Sequence, residues 1–317
     1  MKKVSIIVPV YQVERFIGQC AKSLFEQSYK EIEYLFVDDC SPDNSVEVLR
    51  NILGNYPYKT EQVKIIKHDV NRGSGAARLT AMQQATGELI MFVDSDDYIS
   101  HDCVELLVEC QTRTDADIVD ADYTVFTGDK MLKTVPAWVQ LSDEKYIKAT
   151  LIQNTVTHNL WARIFRRELF TNTGVNFVEG INLAEDYAIM GRIMLSAHRE
   201  CLSKVVYYYR QNDYGTFADG ISARHIDSFL RANSLVCDYI RKNDKDRRFR
   251  TAQDIGLLNV FFLATNAGKT KKDVMKLCGT PSNIIMKGIA ILFGGKALRW
   301  AYLLIKKAYK ACVLHIS

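Results

Sequence analysis

An apolar run that ends in three carboxylates constrains this chain more than any other feature. Residues 89–93 form a short, continuous apolar stretch, and Asp94, Asp96 and Asp97 follow it directly. Such a run is typical of a buried strand in a parallel sheet. In extended backbone alternate side chains face the same side, so Asp94 and Asp96 are predicted to converge. Two converging carboxylates favour a bound cation, and their hard oxygen ligands suit Mg²⁺ or Mn²⁺.

The same acids have a second, purely structural interpretation. Asp97 or Ser100 would serve as the N-cap of a helix that starts near Cys103. An N-cap side chain accepts hydrogen bonds from the first amides of a helix and needs no metal. This stretch alone leaves the metal site and the helix cap open.

Alternating strand and helix patterns predict the fold class of the first hundred residues. Strand-like runs at 4–10, 32–37, 63–67 and 89–93 are separated by segments with helical apolar spacing. This order implies right-handed crossovers and a doubly wound, mostly parallel α/β sheet flanked by helices. Ligands of such sheets bind outside the carboxyl ends of the strands. We therefore expect the loops that follow these four strands to line one crevice.

The pattern changes further along the chain and predicts two domains. Strand-like runs at 118–121, 123–126 and 205–209 are mixed with helical patterns at 142–152 and 183–195, and the chain is helical and basic from about residue 222. We predict a catalytic domain of residues 1–220, with a donor half (1–100) and an acceptor half (101–220). A helical, basic C-terminal extension of residues 221–317 is predicted to follow.

Composition and missing motifs exclude several classes of protein. The formal net charge of +4 over 317 residues gives no reason to expect a nucleic acid partner. There is no G-x-G-x-x-G after the first strand and no G-x-x-x-x-G-K-[ST], which argues against a dinucleotide dehydrogenase and a P-loop NTPase. The eight cysteines are scattered without metal-ligand spacing. Without a signal-peptide pattern or a long apolar span, a cytoplasmic location is predicted.

Several motifs, taken in order, closely resemble the family 2 glycosyltransferases of the GT-A fold. These motifs are residues 4–11, 37–41, 71–73, 77–78, 94–97 and 185–186. The resemblance extends over roughly residues 3 to 215, and its strength lies in the shared order and spacing of the motifs. Two positions depart from the family, which often has Gly where Cys40 stands and Asn where Leu79 stands.

The resemblance implies that a sugar is transferred from a nucleotide diphosphate, most often a UDP-sugar, to an acceptor hydroxyl with inversion at the anomeric carbon. It assigns Asp96 as a ligand of Mn²⁺ or Mg²⁺, with Asp94 near the ribose and the metal. It assigns Asp39 as an acceptor from a pyrimidine N–H. The residues expected to bind the nucleotide-sugar are Pro9, Val10, Tyr11, Glu14, Asp39, Arg72, Arg78, Asp94 and Ser95. Considered alone, Asp38 and Asp39 would be helix caps and Arg78 a helix-surface arginine.

The resemblance also assigns the catalytic and acceptor residues. Asp186 matches the general base that removes the proton of the acceptor hydroxyl, with Glu185 beside it. Acids at this position would equally favour the positive end of a helix dipole. Trp161 is expected either to stack on an acceptor sugar or to belong to the core. Arg210 and Ser222 fall where relatives place an Arg and a Ser close to the diphosphate.

The basic C-terminal segment is similar to an interfacial amphipathic helix. Residues 283–314 follow a helical pattern in which lysines and arginines alternate with large apolar residues, and no acid follows Asp273. Anionic lipid would attract such a segment, so we expect a peripheral contact with the cytoplasmic face of the membrane. The alternatives are packing on the catalytic domain or on a second subunit of a homo-oligomer.

The sequence therefore predicts a metal-dependent inverting glycosyltransferase that extends a glycan or lipid-linked oligosaccharide in cell-surface polysaccharide synthesis. A nucleotidyltransferase would need a Lys-rich loop after the first strand, which this chain lacks. A non-catalytic GT-A subunit that tethers another enzyme at the membrane would be expected to lose its acids. Asp94, Asp96 and Asp186 are all present.

Overall fold

The computed structural model describes residues 1–153, 155–211 and 223–314. The strands are β1 (Val4–Val10), β2 (Ile32–Asp38), β3 (Val63–Lys67), β4 (Leu89–Phe92), β5 (Tyr98–Ile99), β6 (Ile118–Thr127), β7 (Lys130–Val135), β8 (Arg163–Arg166) and β9 (Arg199–Arg210). The α-helices are α1 (Ile17–Phe25), α2 (Ser45–Gly54), α3 (Ser74–Gln84), α4 (Cys103–Thr114), α5 (Asp143–Leu151), α6 (Arg167–Thr173), α7 (Glu185–Ile193), α8 (Ala223–Asn243), α9 (Arg250–Asn266), α10 (Lys271–Cys278), α11 (Ile284–Leu292) and α12 (Gly295–Tyr309). A 3₁₀ helix covers Pro57–Gln62, and a π-helical turn covers Lys310–Leu314.

All the described strands belong to one sheet, in the order β3-β2-β1-β4-β8-β6-β9-β5, with β7 paired to β6. The first four strands of that order, β3, β2, β1 and β4, are parallel to one another. In the other half, β8 is antiparallel to both β4 and β6, whereas β6 and β9 are parallel. The predicted α/β class, with a doubly wound sheet flanked by helices and a helical C-terminal region, is confirmed.

The strand order reverses at β1, which has β2 on one side and β4 on the other. The register pairs Val10 of β1 with Asp38 of β2, and Ile7 of β1 with Phe92 of β4. The carboxyl ends of these strands therefore lie at the same edge of the sheet. A reversal of strand order at that edge is where doubly wound sheets open a crevice for ligands.

The core explains why these runs form strands and helices. Ile6 and Ile7 of β1 and Tyr34 and Leu35 of β2 are fully buried, so both strands are covered on both faces. This is why they are continuous apolar runs rather than alternating ones. On one face α1 packs through residues at helical spacing, and Phe25 meets Tyr34 edge to face with ring centroids 5.4 Å apart.

A buried carboxylate joins β1, β2 and the loop before β4. Glu33 accepts hydrogen bonds from Ser5 Oγ at 2.5 Å and from the amides of Thr86 at 2.6 Å and Gly87 at 3.2 Å. Its side chain also pairs with Lys3 at 2.9 Å. Burial alone would raise the pKa of Glu33, but the bonds from Ser5, Lys3 and Thr86 lower it from 4.5 to about 2.

The chain divides into two compact units. The first comprises Met1–Val139, Leu160–Gly180 and Ala197–Ala218 and holds the sheet described above. The second comprises Gln140–Asn159, Ile181–Ser196 and Asp219–Ser317. Two segments that precede residue 220, containing α5 and α7, thus group with the C-terminal helices. The domain boundary at residue 220 stays a prediction.

The second unit is built around α9. Residues along its whole length are buried, among them Ile255, Leu258 and Phe261. Gly256 lets α5 approach closely, because a Cβ atom at this position would lie 2.1 Å from the carbonyl oxygen of Leu151. Across the described part of the chain, no helix is long and apolar enough to cross a bilayer.

The predicted continuous helix over residues 283–314 is wrong. Phe293 ends α11 with extended backbone, and Gly294 precedes α12 in the same conformation. The adjacent Gly295 has a φ of 50°, which glycine adopts without steric cost. The glycine pair therefore divides the segment into two helices.

Candidate active site

The acids after β4 form a turn rather than an extended strand end. The amide of Asp97 donates to the carbonyl oxygen of Asp94 at 3.1 Å, which closes a turn over residues 94–97. We call these four residues the acidic turn. The predicted extended geometry is wrong here because β4 ends at Phe92 and the chain turns before β5. Asp94 and Asp96 are both half-buried at the carboxyl edge of the sheet.

Asp97 is the buried member of the acidic turn. Its carboxylate accepts from the Tyr207 hydroxyl and from the Arg210 amide, both at 2.7 Å. The Tyr207 oxygen also accepts from the amide of Asp94 at 3.1 Å. Burial, and then the charges of Asp96 and Asp94, raise the pKa of Asp97. Two residues of β9 therefore hold the turn in place.

The helix-cap interpretation of these acids is wrong. The residue that precedes α4 is Asp102, and neither Asp97 nor Ser100 caps that helix. Asp97 instead accepts a hydrogen bond from Tyr207 of β9, 110 residues further along the chain. No local sequence signal identifies Tyr207 as its partner, so the sequence reasoning missed this residue.

Two of the predicted arginines lie at the acidic turn. Arg78 of α3 donates to Asp94 Oδ1 at 2.7 Å and is only 4% exposed, which excludes an ordinary surface arginine. Arg210 donates from Nε to the backbone oxygen of Asp96 at 2.8 Å. Its guanidinium carbon lies 4.5 Å from the ring centroid of Phe126. The turn is thus flanked by cations from α3 and β9.

The donor set of the acidic turn fits a hard divalent cation that keeps part of its coordination outside the protein. In the described ranges, no three His, Cys, Asp or Glu side chains are grouped to hold a metal by themselves. Asp94 and Asp96 nevertheless bring carboxylate oxygens to one turn, and their charges bear on Asp97. Mg²⁺ and Mn²⁺ commonly use one or two carboxylates and complete their shell with water and phosphate oxygens.

Asp39 organises the loop that follows β3. Its carboxylate is 1% exposed and accepts from His68 Nδ1 at 2.7 Å, the Arg72 amide at 2.9 Å and the Gly73 amide at 2.7 Å. Oδ1 takes two of these bonds and Oδ2 takes one, so Oδ2 keeps room for another donor. Asp38 accepts from the Ser41 amide at 2.8 Å. Neither acid caps α2, which excludes that interpretation of the pair.

The loops after β1 and β2 are joined by hydrogen bonds. The Gln12 amide donates to Ser41 Oγ at 2.8 Å, and the Asn44 amide donates to Glu14 Oε2 at 2.9 Å. The side chain of Glu14 is therefore occupied by the neighbouring loop. Tyr11 is 41% exposed, which leaves its ring free to stack. Pro9 is half-buried, and Val10 and Ser95 are buried.

Arg72 has a partner that the sequence reasoning missed. Its guanidinium forms a two-point pair with Glu179, at 2.8 Å from Nε to Oε1 and 3.0 Å from Nη2 to Oε2. Both side chains are well exposed. The hydrogen bond and the charge of Glu179 raise the pKa of Arg72, and the same bond and the charge of Arg72 lower the pKa of Glu179. Glu179 carries no recognisable motif, so only the folded chain reveals the pair.

The remaining predicted residues have different surroundings. Glu185 and Asp186 begin α7 in the second unit and are both half-buried. Trp161 is 8% exposed and stacks against Tyr207 and Tyr209, with ring centroids 4.7 and 5.1 Å away. These contacts favour the core interpretation of Trp161. Ser222 lies outside the described residues.

Comparison with known proteins gives a consistent result. The family model for glycosyl transferase family 2 matches residues 5–174. The glycosyltransferase EpsJ of Bacillus subtilis, which is uncharacterised, is 33% identical over 66% of this chain and 61% of its own length. The poly(ribitol-phosphate) β-N-acetylglucosaminyltransferase TarS of Staphylococcus aureus is 29% identical over 66% of this chain and 35% of its own length. The match thus spans roughly a third to three fifths of these two relatives.

A solved structure shares the fold. The crystal structure of S. aureus TarS 1–349 in complex with UDP aligns with a TM-score of 0.62 at 24% identity. The alignment covers 87% of this chain and 75% of that one. At this level of identity the likeness shows the fold alone.

Proposed function

The chain belongs to glycosyltransferase family 2, and from that premise we propose that it transfers a sugar from a nucleotide diphosphate to a hydroxyl of a glycan or lipid-linked oligosaccharide. The observation that supports this most is the acidic turn at the carboxyl edge of β1 and β4, flanked by Arg78 and Arg210. Acids and arginines together at a sheet switch point suit a diphosphate with a cation. Two matched relatives are named as glycosyltransferases of poly(ribitol-phosphate), which supports a role in cell-surface polymer synthesis.

The donor is proposed to be a UDP-sugar. The free acceptor position on Asp39 Oδ2 suits the ring N–H of a pyrimidine, and the exposed ring of Tyr11 suits base stacking. The TarS structure that shares this fold contains UDP. Arg72 would contact the base or a phosphate once it leaves Glu179. Its planar guanidinium can make the same two-point contact with a phosphate that it makes with the Glu179 carboxylate.

Asp94 and Asp96 are proposed to hold Mn²⁺ or Mg²⁺. Such a cation would stabilise the negative charge that develops on the departing diphosphate. Arg78 orients Asp94 through its 2.7 Å bond, and Arg210 fixes the backbone of Asp96. The buried Asp97 stabilises the acidic turn and is not proposed as a metal ligand.

Asp186 is proposed as the general base. An attack that inverts the anomeric carbon requires the acceptor hydroxyl to lose its proton on the face opposite the leaving diphosphate. Asp186 lies in the first turn of α7, where the helix dipole favours negative charge. An ionised carboxylate can accept that proton.

A second candidate is a non-catalytic subunit that tethers another enzyme. It is favoured by one observation, the large apolar and basic surface of the C-terminal helices. Against it, Asp94, Asp96 and Asp186 are all present. A subunit without catalytic function would have no need for these three acids.

The experiment that separates the two is release of UDP from a panel of UDP-sugars by wild type and Asp186→Asn. An enzyme is expected to release UDP from at least one UDP-sugar. Release is slow when the sugar is transferred to water and faster when the acceptor is present. Loss of a general base lowers this rate by roughly 10²- to 10⁴-fold. The affinity for UDP, measured by calorimetry, should not change.

Asp238→Asn is the matched control. Asp238 is an exposed acid of α8 in the same unit, paired with Arg241. The Asp238→Asn variant should retain the wild-type rate of UDP release. Equal rates for Asp186→Asn and wild type would contradict the role of Asp186, and no release from any donor would favour the tethering subunit.

A further inference from the structure

The outward faces of α11 and α12 are apolar, which reverses the usual pattern of a surface helix. On α11, Ile284 is 83% and Leu292 is 78% exposed. On α12, Trp300 is 67% exposed, and Leu303 and Leu304 are at least half exposed. Surface helices of globular proteins direct charged residues to water. Large exposed apolar side chains concentrated on two consecutive helices mark an interaction surface.

Packing on the opposite face fixes the orientation of α12. Leu298, Ala301 and Tyr302 are buried. The Tyr302 hydroxyl donates to the carbonyl oxygen of Ile152 at 3.0 Å, and Lys306 Nζ donates to that of Gln153 at 2.5 Å. The helix therefore already has a buried side within its own unit. Its exposed apolar side needs another partner.

Basic residues accompany this apolar surface. Lys287, Lys296, Arg299 and Lys307 are all exposed on the same two helices. On α12 the exposed stripe at helical spacing consists of residues 296, 299, 300, 303, 304 and 307, so Trp300 and the leucines lie between cations. Residues 274–317 contain seven lysines and arginines and no acid. We call this surface of α11 and α12 the apolar–basic face.

We propose that the apolar–basic face binds the surface of an anionic lipid bilayer. Apolar side chains would enter the boundary between headgroups and acyl chains, and the cations would contact lipid phosphates. Tryptophan suits this depth because its ring has an apolar body and a polar N–H. The helices would lie in the plane of the interface. This inference does not depend on the proposed transfer reaction, although it would bring the protein to a lipid-linked acceptor.

Charge favours a bilayer over a second copy of the chain as the occupant. In a two-fold dimer the same patch meets itself, so each cation of the face would approach the equivalent cations of the other copy. The C-terminal segment has no acid to compensate them. Like charges brought together at an interface oppose association. An anionic bilayer supplies the missing negative charge.

The test is flotation of the full-length protein with vesicles of phosphatidylcholine and phosphatidylglycerol, compared with pure phosphatidylcholine. Wild type should float with the anionic vesicles and bind the neutral ones much more weakly. Trp300→Ser/Leu303→Ser/Leu304→Ser should abolish flotation. Lys287→Gln/Lys296→Gln/Lys307→Gln should weaken it by about 100-fold, since each cation near an anionic surface contributes roughly fivefold.

Matched controls come from the first unit. Met131→Ser/Leu132→Ser/Val139→Ser removes three apolar residues that are 42% to 58% exposed. Lys64→Gln/Lys130→Gln/Lys133→Gln removes three exposed cations of β3 and β7. Both controls should float as wild type does, and every variant should keep a urea-unfolding midpoint close to that of wild type as a check of folding.

Three results would overturn the proposal. They are no flotation of wild type with anionic vesicles, equal flotation of the α12 variants and wild type, and a solution dimer that the apolar triple variant dissociates. The last result would identify a second copy as the occupant. Since none of these measurements reads sugar transfer, failure here is distinct from failure of the proposed reaction.

Discussion

At the scale of single residues, the candidate site is a set of acids whose partners separate binding roles from structural ones. Asp97 accepts hydrogen bonds from Tyr207 and Arg210 of β9 and holds the acidic turn in place. Asp39 shapes the loop after β3, and its Oδ2, which accepts from the Gly73 amide, keeps room for the proposed base. Asp94 and Asp96 remain half-buried at the edge of the sheet, which is where a ligand can reach them. The Arg72 side chain is also accessible, but it is paired with the Glu179 carboxylate, which a nucleotide-sugar would have to replace.

Changing Arg72 to Gln tests whether this arginine binds the donor. We expect UDP affinity to fall by roughly tenfold, because a charge-assisted contact to the base or phosphate is lost. The midpoint of urea unfolding should change little, since exposed ion pairs contribute little to stability. Calorimetry and urea titration measure the two quantities.

Glu179→Gln is the control for this change. It breaks the same ion pair from the other side and removes the anion that competes for Arg72. UDP affinity should stay the same or rise. A loss as large as that of Arg72→Gln would mean that the pair itself, rather than contact with the donor, matters for binding.

Changing Glu33 to Gln tests the buried carboxylate at the amino edge of the sheet. The pKa of Glu33 is lowered from 4.5 to about 2. A lowered carboxyl pKa stabilises the fold above the unfolded pKa, and this contribution is lost as the pH falls through the folded value. The variant should lose about 3 kcal/mol of unfolding free energy at neutral pH.

The pH dependence distinguishes this effect from a general loss of packing. The difference between wild type and Glu33→Gln should shrink as the pH falls from about 4.5 towards 2, measured by urea unfolding. Glu31→Gln changes an exposed acid next to the same strand and should have little effect at any pH. A difference that is independent of pH would contradict the assigned cause.

At the scale of elements, the sequence predicts best where burial alone decides the structure. The bounds of β1, which is buried along nearly its whole length, agree with the apolar run residue for residue, and the fully buried β2 ends one residue later than its run. β8 has no such run, because Arg163 and Arg166 flank only two apolar residues, Ile164 and Phe165, and no strand was predicted there. It forms between β4 and β6 through long-range pairing. α10 is short, and half of its residues are charged, so its local pattern is weak.

Prediction of the candidate site from the sequence has the same limit. The acids and arginines could be identified from their motifs, since charged residues at strand ends are visible in the sequence. The turn over residues 94–97 could not, because Tyr207 and Arg210 fix it from β9. The pairing of Arg72 with Glu179 also joins distant parts of the chain. Contacts of this kind depend on tertiary structure.

Changing Gly256 to Ala tests the close packing of α9 on α5. Alanine normally favours a helix interior by about 1 kcal/mol over glycine. Here the added Cβ would lie 2.1 Å from the Leu151 carbonyl oxygen, and backbone cannot easily move. We expect destabilisation by about 2–3 kcal/mol, measured by urea unfolding.

Gly288→Ala is the matched control in α11. A Cβ added there meets nothing within 4 Å. This variant should be more stable than wild type by about 0.5–1 kcal/mol. Stabilisation by both substitutions would show that α5 and α9 are not in close contact at Gly256.

At the scale of the whole molecule, charge is distributed unevenly along the chain. The net charge is +4, and residues 274–317 contribute +7, so the remainder carries −3. The acidic turn lies in that remainder, and the cations of the apolar–basic face lie in the C-terminal segment. A cation at the acidic turn would offset local negative charge there, while the tail suits an anionic surface. The predicted cytoplasmic location and the oligomeric state stay predictions.

Calorimetric titration of UDP with and without Mn²⁺, into wild type and Asp96→Asn, tests the central claim most directly. The account predicts that wild type binds UDP and that Mn²⁺ tightens this binding. In the presence of Mn²⁺, the affinity of Asp96→Asn for UDP should be lower than that of wild type by at least about tenfold. Asp102→Asn, an exposed acid paired with Lys204, should behave as wild type does. Binding of UDP that is indifferent to Mn²⁺ and to Asp96→Asn, or no binding of UDP at all, would contradict the account.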